Sequence, residues 1–229
     1  MILAIETATQ SLGVAILDGE QIRASVQINR GNAHDELLAP LCRDIVAQAG
    51  LQMKDLRGVA VSAGPGSFTG LRIGMAVAKG MVLALGIPLA VVPTHDAIAE
   101  GVARSWPHTE GATLVVCIDA KREDIYAATY QLINHEWRSK HAVSVCEAAA
   151  LLGDLPEGAV LVGDGAAKVH ALAPQSLSLL PDAASVFDAR YVAILGARML
   201  ASGAAADPDT CEPLYVQEFQ VKQSKNVLI

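Results

Sequence analysis

Apolar residues in the first part of the chain follow the spacing of strands. Two short apolar runs, and a third run that alternates polar with apolar residues, predict a three-stranded meander. The pair Asp18-Gly19 between the second and third runs is typical of a two-residue hairpin turn. The three predicted strands are Ile2 to Glu6, Leu12 to Leu17 and Ile22 to Ile28.

Helical and strand patterns alternate after the meander. Leu38, Leu41 and Ile45 recur at helical spacing and predict a helix from about His34 to Ala49. Pro40 lies inside this pattern and implies a kink or a later start. The elements predicted next are a strand over Gly58 to Ser62, a helix over Thr69 to Leu85, a strand over Leu89 to Val92 and a helix over Thr94 to Ala103.

The second half of the chain repeats this order. Its predicted strands are Leu114 to Ile118, Ile125 to Leu132, Trp137 to Val145, Ala159 to Val162 and Leu177 to Leu180, and its predicted helices are Glu147 to Leu152, Ala166 to Leu172 and Ala189 to Ala201. Two copies of βββαβαβα indicate a structural duplication. This α/β order resembles the actin-like, Hsp70-like and sugar-kinase-like architecture, in which two domains face each other across a cleft.

The segment from Ser105 to Gly111, which contains Trp106-Pro107, is the best predicted domain boundary. We therefore expect an N-terminal domain over residues 1–105 and a C-terminal domain over residues 106–204. We expect the tail, about residues 205–229, to pack back on the N-terminal domain.

Composition indicates a large aliphatic core. Of 229 residues, 52% are hydrophobic, only 4% are aromatic and 18% are charged, which excludes a disordered chain. The formal net charge of −7 has the wrong sign for a protein that binds nucleic acid by itself through many phosphate contacts. The four cysteines show no CxxC spacing, so neither a zinc ribbon nor a redox pair is expected.

The sequence also bears on location. The first residues, Met1 to Glu6, show no basic leader and no small-residue cleavage site, so we expect no secretory signal and a cytoplasmic protein. The longest weakly charged stretch, Gly80 to His95, is interrupted by Gly86, Pro88 and Pro93, so we expect no membrane span.

The most distinctive segment, AGPGSFTGLRIG from Ala63 to Gly74, joins a predicted strand to the start of a helix. Its glycines allow positive φ and close approach, and Ser67 or Thr69 can cap the first helical N–H groups. Such a loop can hold an anion at the helix N-terminus, or it can be a rigid turn that docks the helix on the sheet. It is not a Walker A loop, because Leu71-Arg72 stands where that motif needs Lys-Ser/Thr.

The helix that follows is apolar on most sides. Between Gly70 and Leu85 only Arg72 and Lys79 are charged, so the helix must be covered on most sides. Both burial within the monomer and a partner interface are compatible with this pattern. A face of mostly small residues, which would let another helix approach closely, consists of Gly70, Gly74, Ala78 and Val82.

Five segments of the chain resemble one known family. They are Leu3 to Thr9 (LAIETAT), His34 to Pro40 (HDELLAP), Gly64 to Gly74 (GPGSFTGLRIG), Ile118 to Tyr126 (IDAKREDIY) and Glu212 to Tyr215 (EPLY). Together they resemble the bacterial TsaB family, also called YeaZ, over nearly the whole chain. The glycine segment is highly specific, and the other segments are weak individually but occur in the right order. Typical members carry Arg and Glu where Lys121 and Asp124 stand.

The resemblance implies a subunit of the machinery that installs N6-threonylcarbamoyladenosine beside the anticodon of tRNAs reading codons that begin with A. In that family the subunit is a scaffold that dimerises with its catalytic relative TsaD, while the ATPase TsaE joins the pair and a separate synthase makes threonylcarbamoyl adenylate. The partners would hold the tRNA, and the pairing surface can also form a homodimer. By analogy the first two helices form this surface, and its candidate residues are His34, Leu38, Leu41, Ile45, Gly70, Arg72, Gly74, Met75, Ala78 and Val82.

The resemblance further implies a chain without catalytic residues. A catalytic relative should hold a metal between two histidines spaced HxxxH, and the matching positions here are Thr94 and Ile98. His95 has no histidine four residues on and is interpreted as a cap or surface histidine, so no metal is expected. A peptidase of the glycoprotease type and a small-molecule kinase are the alternatives, although a GxSxG elbow is absent.

The first hairpin departs from the nucleotide-binding pattern of actin-like kinases. Glu6 is followed by Thr7 to Ser11 without a glycine at the tight approach, so we expect no cofactor in the isolated chain and ATP only at an interface with TsaD. The residues left as a vestigial nucleotide or anion site are Glu6, Thr7, Gly64, Gly66, Ser67, Asp119, Gly163 and Gly165.

Overall fold

Two five-stranded mixed sheets form the framework of the computed structural model, which describes residues 1–30, 34–134, 136–180 and 187–216. The strand orders are β3-β2-β1-β4-β5 and β10-β9-β6-β7-β8. In the first sheet β1 pairs antiparallel with β2 and parallel with β4, and in the second sheet β6 pairs antiparallel with β7 and parallel with β9. The duplication predicted from the order of elements is therefore confirmed.

The first half contains β1 (Ile2–Glu6), β2 (Leu12–Asp18), β3 (Gln21–Ile28), α1 (His34–Gln48), β4 (Gly58–Ser62), α2 (Phe68–Leu85), β5 (Leu89–Val92) and α3 (Thr94–Ser105). The second half contains β6 (Thr113–Asp119), β7 (Asp124–Ile133), β8 (Glu136–Glu147), α4 (Ala148–Leu151), β9 (Val160–Val162), α5 (Ala166–His170), β10 (Ser178–Leu179) and α6 (Ala189–Ala201). Helix α1 begins at His34 with Pro40 inside it, so a later start is wrong.

Successive side chains of β1 point to opposite faces of the first sheet, and each face has its own core layer. Leu3 and Ile5 point to the side that α1 and α2 cover, whereas Ala4 points to the side that α6 covers. Alanines on this second side let α6 approach closely, because a Cβ on Gly196 would overlap the Cβ of Ala60. The sheet is thus buried on both faces, which explains its continuously apolar central strands.

Helices α3 and α6 each pack against the core of the opposite half of the chain. Ile98 and Val102 of α3 pack in the core of the second sheet, together with Leu114. Tyr191 and Val192 of α6 pack in the core of the first sheet. The chain segment 189–201, which the sequence prediction placed in the C-terminal domain, thus packs on the N-terminal sheet. Helical periodicity identifies a buried face but not the sheet that covers it.

The described part of the tail packs on the first half, as predicted. The backbone N–H of Ala206 donates to the carbonyl of Leu89 at 2.8 Å, on the free edge of β5. Further along, Leu214 N–H donates to Ala63 O at 2.7 Å, directly beside the glycine segment. Residues 217–229 lie outside the described residues.

Helix α2 is apolar enough, by length and composition alone, to cross a membrane. Its mean hydropathy is 1.4 over 18 residues. It packs on the first sheet through Met75, Ala78 and Val82, and one third of it (33%) is buried inside the chain.

Candidate functional site

The glycine segment docks the start of α2 against the turn between β1 and β2. A Cβ on Gly66 would overlap the carbonyl oxygen of Ala8, and a Cβ on Gly70 would overlap that of Thr7. Gly64 has a φ of 100°, in the left-handed region that favours glycine. Ser67 caps the helix, since its Oγ accepts from Gly70 N at 3.2 Å. Of the two interpretations of this segment, the rigid docking turn accounts for these glycines.

Glu6 is enclosed behind this turn. Its Oε1 accepts hydrogen bonds from Ala8 N at 2.6 Å and from Ser62 Oγ at 3.1 Å. Burial raises the pKa of Glu6 to about 7, and the nearby Asp188 adds to the effect. Glu6 is thus a structural carboxyl inside the fold and does not reach the cleft, which corrects its place in the predicted anion site.

A cleft of about 870 Å³ opens between the two halves beside the glycine segment. Ala8, Thr9, Gly66 and Ser67 line it from the first half, and Asp119, Lys121 and Asp164 line it from the second. Of the predicted anion-site residues, Gly66, Ser67 and Asp119 therefore meet in one cleft. Thr7, Gly64, Gly163 and Gly165 are not among the lining residues.

The second-half wall of the cleft is held by one lysine. Lys168 Nζ donates to Asp119 Oδ1 at 2.7 Å, to Arg122 O at 2.5 Å and to Asp124 O at 3.3 Å. Burial opposes ionisation of Asp119, but hydrogen bonds from the Lys168 side chain and the Lys121 backbone, together with the charges of both lysines, outweigh it and lower the pKa of Asp119. The negative charge of Asp119 is thus compensated within the chain. The sequence analysis did not identify Lys168, because nothing in its local sequence links it to Asp119.

The turn after β9 completes this wall. Asp164 accepts from Asp119 N at 2.8 Å, and burial raises the pKa of Asp164. Gly163 has a φ of 104°, and a Cβ there would overlap the carbonyl oxygen of Cys117. Gly163 and Gly165, which the sequence analysis placed in the anion site, serve this tight strand-to-helix turn, and only Asp164 between them lines the cleft.

Helices α1 and α2 carry the predicted pairing surface, and most of its residues are buried in the chain itself. The buried residues of this predicted surface are His34, Leu38, Ile45, Gly70, Gly74, Met75, Ala78 and Val82. Leu41 is partly buried and only Arg72 is exposed. The small-residue face lies inward, since a Cβ on Gly74 would overlap Thr7 Oγ1. The prediction that this face is open before pairing is wrong.

The outward side of α2 is the surface that the sequence prediction missed. It carries apolar and small residues without charge, at the three- and four-residue spacing of one helix face. We call it the α2 stripe, and it consists of Ile73, Ala76, Val77, Gly80, Leu83 and Ala84. Ile73 and Val77 are partly buried against the core of the first half, and the other four residues are exposed. Leu83 is 61% exposed, and no atom lies within 4 Å of a Cβ built on Gly80.

Comparisons with known proteins identify the family. The family model described as TsaD, tRNA N6-adenosine threonylcarbamoyltransferase, matches residues 22–212. The tRNA threonylcarbamoyladenosine biosynthesis protein TsaB of Escherichia coli strain K12 is 28% identical over 221 residues, which cover 94% of each chain. The structure of YeaZ from Pseudomonas aeruginosa superposes with a TM-score of 0.79 at 26% identity, covering 93% of this chain and 98% of that one. The chain belongs to the TsaB/YeaZ family.

The actin-like fold of this TsaB-family chain also appears in a more distant structure. The ROK hexokinase of Thermus thermophilus has a TM-score of 0.51 at 10% identity, over 88% of this chain and 99% of the hexokinase. This likeness shows the fold alone.

The positions that match a metal-binding histidine pair are buried in the TsaB-family chain. Thr94 Oγ1 accepts from Gly64 N at 3.0 Å, and Ile98 lies in the core of the second half. His95 is 2% exposed, with Nε2 3.3 Å from Tyr126 O, so its interpretation as a cap or surface histidine is wrong. Burial lowers the pKa of His95 to about 4. Within the described ranges, no group of three His, Cys, Asp or Glu side chains is arranged to hold a metal.

Proposed function

We propose that this chain is a non-catalytic, activating subunit in the formation of N6-threonylcarbamoyladenosine beside the anticodon of tRNAs that read codons beginning with A. It acts by pairing with a TsaD-type catalytic subunit. The α2 stripe is the observation that carries the proposal. Its exposed residues form an apolar helix face without charge, and such a face on the surface of a protein marks an interaction site.

The shape of the α2 stripe suits a helix as its partner. Gly80 lies at the middle of the stripe with open space above it, so another backbone can approach closely there. Leu83, Ala76 and Ala84 are exposed on either side of Gly80 and supply apolar area to bury. The neighbouring helix α1 presents charged residues to solvent at Asp35, Glu36, Arg43 and Asp44, which gives the apolar centre a polar rim.

The cleft supports a subunit that does not catalyse the transfer. Its acidic residues are engaged, since Asp119 is paired with Lys168 and Asp164 accepts from the backbone. Glu6 is buried and does not line the cleft, and Thr94 and Ile98 stand where a histidine pair would bind a metal. In this proposal the catalytic groups and most of the tRNA contacts belong to TsaD, ATP binds only at the shared interface, and TsaE joins the pair in the cytoplasm.

A reconstituted assay tests the proposal. Threonylcarbamoylation of tRNA is measured with synthase, TsaD, TsaE, ATP, threonine and bicarbonate, with and without this chain. Light scattering after size exclusion measures its complex with TsaD and any homodimer of the chain alone. We expect modification that depends on the chain and a stable heterodimer. Equal modification without the chain, and no complex, would refute the proposal.

A further inference from the structure

An aromatic and cationic cluster stands at the first turn of α2, outside the α2 stripe. The guanidinium of Arg72 lies 3.7 Å from the ring centre of Phe68 and 5.8 Å from that of Tyr215. Arg72 Nε also donates to Tyr215 Oη at 3.0 Å, and the two aromatic rings are 5.5 Å apart. All three side chains are exposed. The tail and the first turn of α2 therefore present rings and a cation side by side to solvent.

Two further cations face this cluster across a groove of about 950 Å³. Lys121 and Arg122 lie on the turn between β6 and β7, with φ values of 76° and 52°. Lys168 holds the backbone of this turn, so the turn is fixed while both cationic side chains stay exposed. Lys121 Nζ lies 3.7 Å from Asp119 Oδ2, in an ion pair at the surface. Among the described residues, no ion pair or hydrogen bond engages the Arg122 guanidinium.

The charge of the groove is opposite to that of the chain. Arg72, Lys121 and Arg122 line it, and Asp124 is the one acidic residue among the described lining residues, whereas the whole chain carries −7. The groove joins the cleft between the two halves, since Gly66, Phe68, Lys121 and Tyr126 line both. The groove thus suits a ligand that carries both negative charges and flat rings, whereas the cleft beyond it is lined by the acidic residues Asp119 and Asp164.

We propose that this groove, which we call the RNA groove, binds a single-stranded part of the tRNA substrate. Bases stack on Tyr215 and on the guanidinium plane of Arg72, and phosphates contact Lys121 and Arg122. Stacking platforms beside cations suit RNA better than an acidic peptide, because every nucleotide supplies a flat base together with a phosphate, whereas acidic residues supply no ring. The inference rests on the proposed function for the identity of the RNA, and it adds a direct contact to those that the partner supplies.

Fluorescence anisotropy with a fluorescein-labelled tRNA anticodon stem-loop tests the RNA groove, using the full chain alone and in complex with TsaD. Two variants remove different parts of it: Lys121→Ala with Arg122→Ala, and Tyr215→Ala. The matched control is Arg138→Ala with Lys140→Ala, two exposed basic residues on the edge strand β8.

We expect each groove variant to weaken binding by about fivefold or more, and the control to leave it unchanged. The double lysine–arginine variant should also lower the slope of log affinity against log salt by about 1.4, or about 0.7 for each phosphate that is no longer neutralised. Unchanged affinity in both groove variants would overturn the proposal. Displacement of the RNA by polyglutamate with the same dependence on the variants would also overturn it, in favour of an acidic peptide.

The same variants are checked for pairing with TsaD by light scattering. Loss of RNA binding with pairing retained supports the RNA groove. If the groove variants still bind RNA and still pair with TsaD, the RNA groove is refuted and the proposed function is not affected. If the chain proves dispensable for tRNA modification while the groove variants still lose RNA binding, the proposed function fails and the RNA groove stands.

Discussion

Glu6 and Ser62, which are 56 positions apart in the sequence, form a buried hydrogen bond of 3.1 Å between the ends of two neighbouring parallel strands. Ser62 Oγ also accepts from Thr7 N at 3.2 Å. Together these bonds fix the turn between β1 and β2, against which the glycine segment and α2 are packed. The carboxyl group of Glu6 is therefore part of the framework that shapes the cleft.

The raised pKa of Glu6 predicts a stability that falls as the pH rises. Burial raises it to about 7 in the folded chain from an ordinary value of 4.5, so the folded state holds the proton more tightly than the unfolded state. This stabilisation is complete below pH 4.5 and is lost as the pH rises towards 7. At 1.36 kcal/mol per pKa unit, the difference amounts to roughly 3 kcal/mol.

Glu6→Gln should remove this dependence, because a neutral amide oxygen can accept the same hydrogen bonds without a titrating proton. We expect its melting temperature to vary less than that of the natural chain between pH 5 and pH 8, and to exceed it at pH 8. Glu20→Gln, in the exposed hairpin turn, is the control. If the melting temperatures of the natural chain and Glu6→Gln change with pH by the same amount, the prediction is contradicted.

Two glycines of α2 should respond to alanine in opposite directions. Gly74→Ala places a methyl group on Thr7 Oγ1, so the helix must shift, and we expect a loss of about 1–3 kcal/mol in the free energy of unfolding. Gly80→Ala meets open space in a helix interior and should gain about 0.5–1 kcal/mol. Urea denaturation of both variants measures the difference. Equal effects would show that α2 does not dock on the turn through its small face.

The sequence predicted the order of elements well, because strands and helices differ in apolar period and this chain has clear turn signals. It failed to assign α3 and α6 to their sheets, since a buried face does not reveal which sheet covers it. It also reversed the two sides of α2: small residues suggested a helix partner, but Gly70 and Gly74 are small because the β1–β2 turn crosses them.

The candidate site was only partly predictable for a related reason. Gly66, Ser67 and Asp119 were found because glycine-rich loops and acidic turns have recognisable local patterns. Lys168 lies 49 positions from Asp119 and carries no such pattern, although it holds one wall of the cleft. Contacts between residues far apart in sequence require the fold before they can be recognised.

Lys168→Met should loosen the turn between β6 and β7. The substitution keeps much of the apolar stem but removes the donors to Asp119, Arg122 and Asp124. We expect faster amide hydrogen exchange at residues 119–126, with little change at β1 and β4. Lys140→Met on the exposed edge strand is the matched control. Unchanged exchange in the turn would show that its own backbone hydrogen bonds suffice to hold it.

Leu83→Glu should separate pairing from folding. Leu83 is 61% exposed on the α2 stripe, so a charge there costs little in the isolated chain but would be buried, unpaired, in a helix–helix interface. We expect the affinity for TsaD to fall by at least tenfold in light scattering and titration calorimetry, with an unchanged melting temperature. Leu172→Glu is the control, because Leu172 is 52% exposed in the second half of the chain, beyond α5. If both variants pair with TsaD as the natural chain does, the α2 stripe is not the pairing surface.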